Sequence, residues 1–362
     1  MNSRQTVPTI YGTGFIPLDV VIQKDSGVEN VFAGGTCGNV LAIMAFLGWH
    51  SAPIARLKED AAGTLVRDDL EGWGVKLDYI GLEPQTATPI LIEEIYRNRS
   101  GQARHRYVWT CPDCGGYLPA YRPVLSTSVE RFASIPAPDV FFFDRVSRAP
   151  IDLAKDYAAR GAVVVFEPSG YSDPRLFREA VRTCHILKYS SQRVRAFADL
   201  LEASKAMLEI ETLGDEGLRY RATLPLCNAR GWKSLPSFHV DDVKDTAGCG
   251  DWSTAGFIWK LAGKGQKGLG ATTAQSLEAA LQFGQALSAW NCRFAAPRGG
   301  MYLMGRAAVL KSVENILVGS AVKPRLVAKK KRGTQAALFC PACAEPETRV
   351  SSPVKRKIRR AI

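Results

Sequence analysis

Asp245-Thr246-Ala247-Gly248-Cys249-Gly250-Asp251 runs directly into Trp252-Ser253-Thr254-Ala255-Gly256-Phe257. Small residues and glycines lead to an acid, and the acid opens an apolar helix. Backbone N–H groups of Ala247, Gly248, Cys249 and Gly250 can converge at such a helix N-terminus, where unbonded donors and the helix dipole favour an anion. An acid on the first turn, Asp251, can take the proton of an attacking hydroxyl while those N–H groups hold a transferring phosphoryl group. A Gly-rich turn with an aspartate cap is the plainer reading of the same residues.

The pattern around this stretch is that of an α/β sheet. Val140-Phe141-Phe142-Phe143 and Ala162-Val163-Val164-Val165-Phe166 are short, continuous and apolar, as strands buried on both faces of a parallel sheet are. Helical stretches at about 150–160, 173–183 and 194–206 separate such runs, which argues for a doubly wound sheet with helices on both faces. Between Ala61 and Trp73, the residues Ala62, Leu65, Val66, Leu70 and Trp73 form one apolar stripe, and Gly74 follows as a C-terminal cap. The segment Gly38–Leu47 is apolar nearly all round and reads as a buried helix. Its Gly34-Gly35 entry lets backbone approach a ligand.

From about Thr9 to about Gly305 the chain resembles the ribokinase-like (PfkB) family of sugar and nucleoside kinases. Four segments carry the resemblance, in the family's order. Tyr11-Gly12-Thr13-Gly14-Phe15-Ile16-Pro17-Leu18-Asp19 is similar to the first strand and the substrate-binding aspartate. Ala33-Gly34-Gly35-Thr36-Cys37-Gly38-Asn39 is similar to the segment that contacts substrate hydroxyls. Glu211-Thr212-Leu213-Gly214-Asp215-Glu216-Gly217 is similar to the turn near the nucleotide phosphates, and Asp245–Asp251 to the C-terminal signature. The resemblance implies a ribokinase-like body over 1–320 with a small β-lid at about 86–123. It implies Asp251 as general base and an anion hole from Ala247, Gly248, Cys249 and Gly250. It implies Asp19, Gly34, Gly35 and Asn39 on the acceptor, and Thr212, Gly214 and Gly217 on the nucleotide. ATP and Mg²⁺ are the implied cofactors, and the region Ala286 to Arg298 is implied to border the adenine.

The chain departs from the family where an Asn-x-x-Glu or Ser-Asp-x-Glu element helps to place Mg²⁺ through water. The matching stretch is Lys188-Tyr189-Ser190-Ser191-Gln192-Arg193, so Arg193 stands at the glutamate position, and a cation cannot coordinate a metal. Lys188 and Arg193 are read instead as nucleotide-phosphate contacts. The lid segment Arg104-His105-Arg106-Tyr107-Val108-Trp109 is more basic and aromatic than a lid over a neutral sugar requires. Arg104 and Arg106 are therefore candidates for a phosphate on the substrate, since guanidinium forks suit bidentate phosphate binding.

Nine cysteines without an apolar leader argue for thiols or metal rather than disulfides. Cys111-Pro112-Asp113-Cys114 and Cys340-Pro341-Ala342-Cys343 form two Cys-x-x-Cys knuckles, and two such pairs make the ligand set of a closed, tetrahedral Zn²⁺ site. The first knuckle falls in the lid, so the C-terminal segment would fold back and staple it. A redox Cys-x-x-Cys and unpaired surface thiols are the alternatives. The pairs can meet within one chain or between two, which leaves a homodimer through the lid open. Cys37, Cys184, Cys227 and Cys292 read as small buried hydrophobes.

Charge divides the chain. Of a net +12, the segment 323–362 carries twelve Lys or Arg against two Glu, a net +10, and the rest about +2. The extension 321–362 therefore reads as a solvated basic end holding the second knuckle (340–343), with nucleic acid the less favoured alternative. No apolar run reaches the ~18–20 residues of a membrane span, and a cytoplasmic location is expected. The reading is an ATP-dependent phosphotransferase acting on a primary hydroxyl of a small sugar-like acceptor: a sugar, a nucleoside or a phosphosugar. The alternative is a catalytically divergent ribokinase-like protein that serves as a zinc-containing scaffold for nucleic acid or protein.

Overall fold

The computed structural model describes residues 6–24, 28–98, 103–319 and 340–344. Its centre is an eight-stranded sheet in the order Cys227–Leu235, Leu218–Leu224, Leu208–Thr212, Ile186–Ser190, Val163–Phe166, Val140–Phe143, Thr9–Thr13, His50–Pro53. Every pairing from Leu208–Thr212 through to His50–Pro53 is parallel, and an antiparallel hairpin closes the other edge. Alternate residues of the two expected strands go to opposite faces, which is why both runs are apolar throughout. Phe142, Val163 and Val165 pack with the helices Gly35–Phe46, Cys249–Leu261 and Ala274–Asn291. Phe141, Phe143, Val164 and Phe166 pack with Arg148–Ala159 and Pro174–Thr183.

The helix Ala61–Gly72 is capped by Asp60, whose carboxylate accepts from Gly63 N at 2.8 Å, and Gly74 follows it at φ +87°. Residues 194–206, read as one helix, instead form two short helical pieces, Ser191–Val194 and Ala198–Leu201. Phe197 breaks the run at φ −145°, and the break lets its ring enter the core against Phe177. Packing of one aromatic outweighs the helical periodicity there.

A second sheet, in the order Val28–Ala33, Leu18–Gln23, Ile90–Arg97, Ala103–Val108, covers one end of the main sheet. The lid expected at about 86–123 thus draws two of its four strands from residues 18–33, and Asp19 lies on the lid rather than on the first core strand. The first strand, Thr9–Thr13, sits between His50–Pro53 and Val140–Phe143, so strand order reverses beside it. Loops at the carboxyl ends of strands next to such a reversal form the ligand crevice of open α/β sheets. They hold Gly14, Asp144 and Glu167 here. Among the described residues no helix is long and apolar enough to cross a membrane.

Candidate active site and metal centre

Asp251 occupies the first turn of the helix Cys249–Leu261 and is 8% exposed. Its carboxylate accepts from Asn39 Nδ2 at 2.8 Å, across 212 residues of sequence. Asn39 Oδ1 accepts from Arg298 Nε at 3.0 Å, and Arg298 also donates to Ala33 O and pairs with Asp69 at 2.7 Å. A guanidinium cannot accept, so this contact fixes the Asn39 amide with its NH₂ toward Asp251. Burial, then the charge of Glu167, pushes the Asp251 carboxyl up to about 8, against the opposing effects of Asn39, Lys188 and Arg193. A carboxyl near that value suits proton abstraction close to neutral pH.

The loop before the helix is clamped by Asp245. Its Oδ1 accepts from Ala247 N at 2.9 Å and its Oδ2 from Ala296 N at 2.9 Å. Cys249 N donates to Thr246 O at 3.3 Å, so two of the four amides read as an anion hole are engaged within the loop. Trp252 N makes the first α-helical bond, to Gly248 O at 3.0 Å, and the amides of Gly250 and Asp251 precede it. The Cys249 thiol lies against Cys292 Sγ at 3.1 Å and Ser288 O at 3.8 Å. Gly248 takes the left-handed conformation, φ +74°, and a Cβ there would run into Pro297 O and Cα. Gly248→Ala should therefore lower unfolding stability by about 2 kcal/mol or more and reduce phosphoryl transfer at the same time. Denaturant titration beside a rate assay checks this; a midpoint and rate equal to wild type would mean that the loop has another conformation.

Among the residues read as acceptor contacts, Gly34 and Gly35 are held tightly. A Cβ on Gly34 would occupy the Asp19 carboxylate, and a Cβ on Gly35, which sits at φ +71°, would strike Phe15 O. Asp19 Oδ2 accepts from Gly35 N at 3.4 Å, while its buried Oδ1 has no protein partner. Burial raises the Asp19 carboxyl to about 7. Phe15 N donates to Asp144 at 2.8 Å, and the Phe15 ring meets Trp109 at 5.9 Å, Tyr121 at 6.3 Å and the Arg145 guanidinium at 4.7 Å. Arg106 stands on the opposite face of the lid from Tyr107 and pairs with Glu94. The side chain of Arg104 lies outside the described residues.

Of the residues read as nucleotide contacts, Lys188 is buried between Glu167 Oε1 at 2.5 Å and Gly250 O at 3.1 Å, and so anchors the first helical turn. The other Glu167 oxygen accepts from Thr254 Oγ1 at 2.6 Å. Arg193 is exposed in the short helix Ser191–Val194, and its charge reaches Asp251. Thr212 ends the strand Leu208–Thr212 and donates to Tyr189 O at 3.4 Å. Gly214 and Gly217 form the turn after it, at φ +69° and +102°, closed by Leu213 N on Gly217 O at 2.8 Å.

Glu167, Asp69 and Asp144 of these networks escaped the sequence reading, which named Arg298 only as the end of a region near the adenine. Glu167 directly follows a buried parallel strand, and that position at a carboxyl end was the available signal. Arg298 carried no such signal. Arg298 lies against Asn39 Oδ1 and Ala33 O.

The two knuckles meet within one chain. The four sulfurs of Cys111, Cys114, Cys340 and Cys343 all lie within 4.8 Å of one another, with Cys111–Cys343 at 3.7 Å and Cys114–Cys340 at 3.6 Å. A tetrahedron with Zn–S of about 2.3 Å has edges of about 3.8 Å, so the four thiols fit a closed Cys₄ site. Sulfurs of different knuckles approach to 3.6 and 3.7 Å and all four lie within 4.8 Å, one four-sulfur cluster rather than two separate Cys-x-x-Cys pairs. Gly115, at φ +71°, turns the first knuckle back so that Cys111 N reaches Gly116 O at 2.8 Å. Gly116 N donates to Cys114 Sγ at 3.4 Å, and the thiols shift one another in opposite directions, Cys114 down to about 7 and Cys343 up to about 12; a metal would hold all four as thiolates. The basic extension read at 321–362 lies outside the described residues apart from 340–344.

No protein-family model and no curated protein matches the chain. Solved structures do match. The ribokinase of Arabidopsis thaliana, solved with ribose and ATP, superposes with a TM-score of 0.63 at 19% identity, over 85% of this chain and 99% of that one. A fructokinase of Xylella fastidiosa with bound ATP gives 0.65 at 18%, over 85% and 98%. The aminoimidazole riboside kinase of Salmonella enterica, with its riboside and an ATP analogue, gives 0.62 at 18%, over 84% and 99%. The chain has the ribokinase-like fold: a central α/β sheet flanked by helices and covered by a small β-lid.

Proposed function

We propose that this chain is an ATP-dependent phosphotransferase that phosphorylates a primary hydroxyl of a small sugar-like acceptor. One observation carries the reading: Asp251 is buried at a helix N-terminus, beside glycine amides, and is oriented by Asn39 and Arg298 beneath a lid that offers Asp19. Asp251 accepts the hydroxyl proton as the oxygen attacks the terminal phosphorus of ATP. The amides of Gly248 and Gly250 meet the charge that spreads over the phosphoryl oxygens. Asp19, Gly35 and Asn39 position the acceptor. Thr212, Gly214 and Gly217 line the nucleotide phosphates, with Arg193 nearby. The solved kinases of the same fold that hold ATP support the nucleotide part of the reading.

Mg²⁺ would supply charge neutralisation on the phosphates. With a guanidinium at position 193, the carboxylate on offer at this side is Glu167, which now holds Lys188 and Thr254. Zn²⁺ would sit in the Cys₄ cluster and act structurally, tying 340–343 to the lid. The body and lid over 1–320, with 321–362 as an extension fastened by that metal, form one functional unit in this reading.

The test is an ATP-consumption screen over sugars, nucleosides and their phosphates, with and without Mg²⁺. Mg²⁺-dependent turnover with at least one acceptor is expected. Binding of acceptor and ATP without turnover would instead favour the divergent scaffold, for which the cation at position 193 is the supporting observation.

A further inference from the structure

Resting on that reading, we infer that Glu93 is a second acceptor-binding carboxylate, and that the acceptor presents hydrogen-bond donors and no negative charge to the lid. Glu93 lies on the lid strand Ile90–Arg97. That strand runs parallel to Leu18–Gln23, with Leu91 opposite Asp19 and Glu93 opposite Val21. It runs antiparallel to Ala103–Val108, with Glu93 opposite Tyr107. Paired residues share a face, as do alternate ones, so Asp19, Leu91, Glu93 and Tyr107 line one side of the lid. Glu94 and Arg106 line the other, where Glu94 binds both Arg106 and Lys24.

The first face is the one turned to the catalytic end. Asp19 takes the Gly35 amide there. The charges of Asp245 and Asp19 reach Glu93, and those of Glu93, Asp19, Asp251 and Asp245 reach Tyr107, which is 44% exposed at the rim of this face. Glu93 is 1% exposed, and its Oε1 has no protein partner; Asp19 is 6% exposed, and its Oδ1 has none. A buried carboxylate oxygen without a donor is costly, and two on the same face of one lid are a demand for donors from elsewhere.

The cations nearby do not meet that demand. Arg298, whose charge acts on Asp19, is matched by Asp69 and bonded to Asn39 and Ala33 O, with one Nη left over. Lys188 is held by Glu167. Burial above all raises Glu93 to about 8 and Asp19 to about 7, a sign that the carboxylate charges are poorly compensated. Hydroxyl or amino groups of an acceptor supply donors to both oxygens. A phosphate or carboxylate placed between them would disfavour the carboxylate form of both still further, whereas neutral donors favour it. Among the sugar, nucleoside and phosphosugar acceptors, this face therefore favours the uncharged ones.

Calorimetry on the full, metal-loaded chain tests this without relying on turnover. The probes are D-fructose, D-ribose, adenosine, D-glucosamine and fructose 6-phosphate, each titrated in the presence of a non-hydrolysable ATP analogue. Wild type should bind at least one uncharged or amino ligand, and fructose 6-phosphate at least about tenfold more weakly than fructose. Glu93→Gln, which keeps the shape but replaces an accepting oxygen by a donating NH₂, should weaken the preferred acceptor by about tenfold or more and leave the ATP analogue unaffected. Glu93→Asp should bind between the two, and thermal melts of both variants establish that they fold. Glucosamine binding tighter than the neutral sugars only when Glu93 is present identifies an ammonium as the recognised donor; equal binding identifies hydroxyls. Tightest binding by the phosphosugar, no binding by any panel member, or Glu93→Gln affinities within about twofold of wild type would each overturn the proposal. Glu93-dependent acceptor binding without phosphoryl transfer would sustain it while removing the kinase reading.

Discussion

Asp251→Asn is expected to lower phosphoryl transfer by about 10²–10⁴-fold, the usual contribution of a general base, while ATP affinity and thermal stability stay near wild type. The substitution is close to isosteric. It can keep the contact to Asn39 if that amide meets the carbonyl oxygen of the new side chain, and it removes only the proton acceptor. The pH profile carries a second signature. Asp251 sits near about 8 because burial and Glu167 disfavour its charge, and the base works only when deprotonated. The kcat/KM of wild type should therefore fall as pH drops below about 8. Asp19, near about 7, and Glu93, near about 8, add to the same acid limb, because both meet acceptor donors best as carboxylates. In Asp251→Asn the limb should shrink to the share of those two. Activity within about threefold of wild type, with an unchanged acid limb, would remove Asp251 from the role of base.

Removing the metal is expected to have the next largest effect, and to be felt away from the metal itself. The purified chain should carry about one Zn²⁺, and serine at any one of the four positions should loosen it, since a hydroxyl is a far poorer ligand than a thiolate. Structural Zn²⁺ sites contribute on the order of 10–16 kcal/mol of apparent binding free energy at neutral pH, and that binding is coupled to the ordering of the ligands. Cys111 lies two residues beyond Trp109, and Trp109 packs on Phe15, whose carbonyl abuts Gly35. The bridge between Thr110 and Tyr117 closes the same loop. Chelation should therefore speed hydrogen exchange over about 106–120 and raise the KM for acceptor more than that for ATP, with the main sheet protected as before. Metal analysis, exchange and kinetics on one preparation check the chain of contacts. A metal-free protein with full activity and unchanged exchange would sever the link between the cluster and the site.

What could be read beforehand followed from how local each feature is. The strands at 140–143 and 162–166 announce themselves because burial on both faces leaves no polar position. The cap and stop of the helix Ala61–Gly72 lie in adjacent residues, Asp60 and Gly74. Asp251 and its glycines form one contiguous segment, as does each cysteine knuckle. The rest of the site is assembled across the chain. Arg298 meets Asn39 over 259 residues and Asp69 over 229, and nothing near Arg298 in sequence marks it as buried. Glu167 becomes visible only once the strand before it is known to end at the ligand crevice. Glu93 and Glu94 are indistinguishable as neighbouring acids until strand register sends one to the face shared with Asp19 and the other to Arg106. The misread helix at 194–206 has the same origin: its periodicity is genuine, but Phe197 gains more by entering the core than the helix loses by breaking.

The most direct measurement is phosphorus NMR of ATP mixed with the zinc-loaded chain, Mg²⁺ and the acceptor that binds most tightly, run beside Asp251→Asn. Wild type should convert ATP to ADP with a new phosphomonoester signal growing in step, and the variant should form that ester at least about a hundredfold more slowly. No phosphomonoester from the wild-type chain, with acceptor and ATP both shown to be bound, would contradict the assignment of this site to phosphoryl transfer.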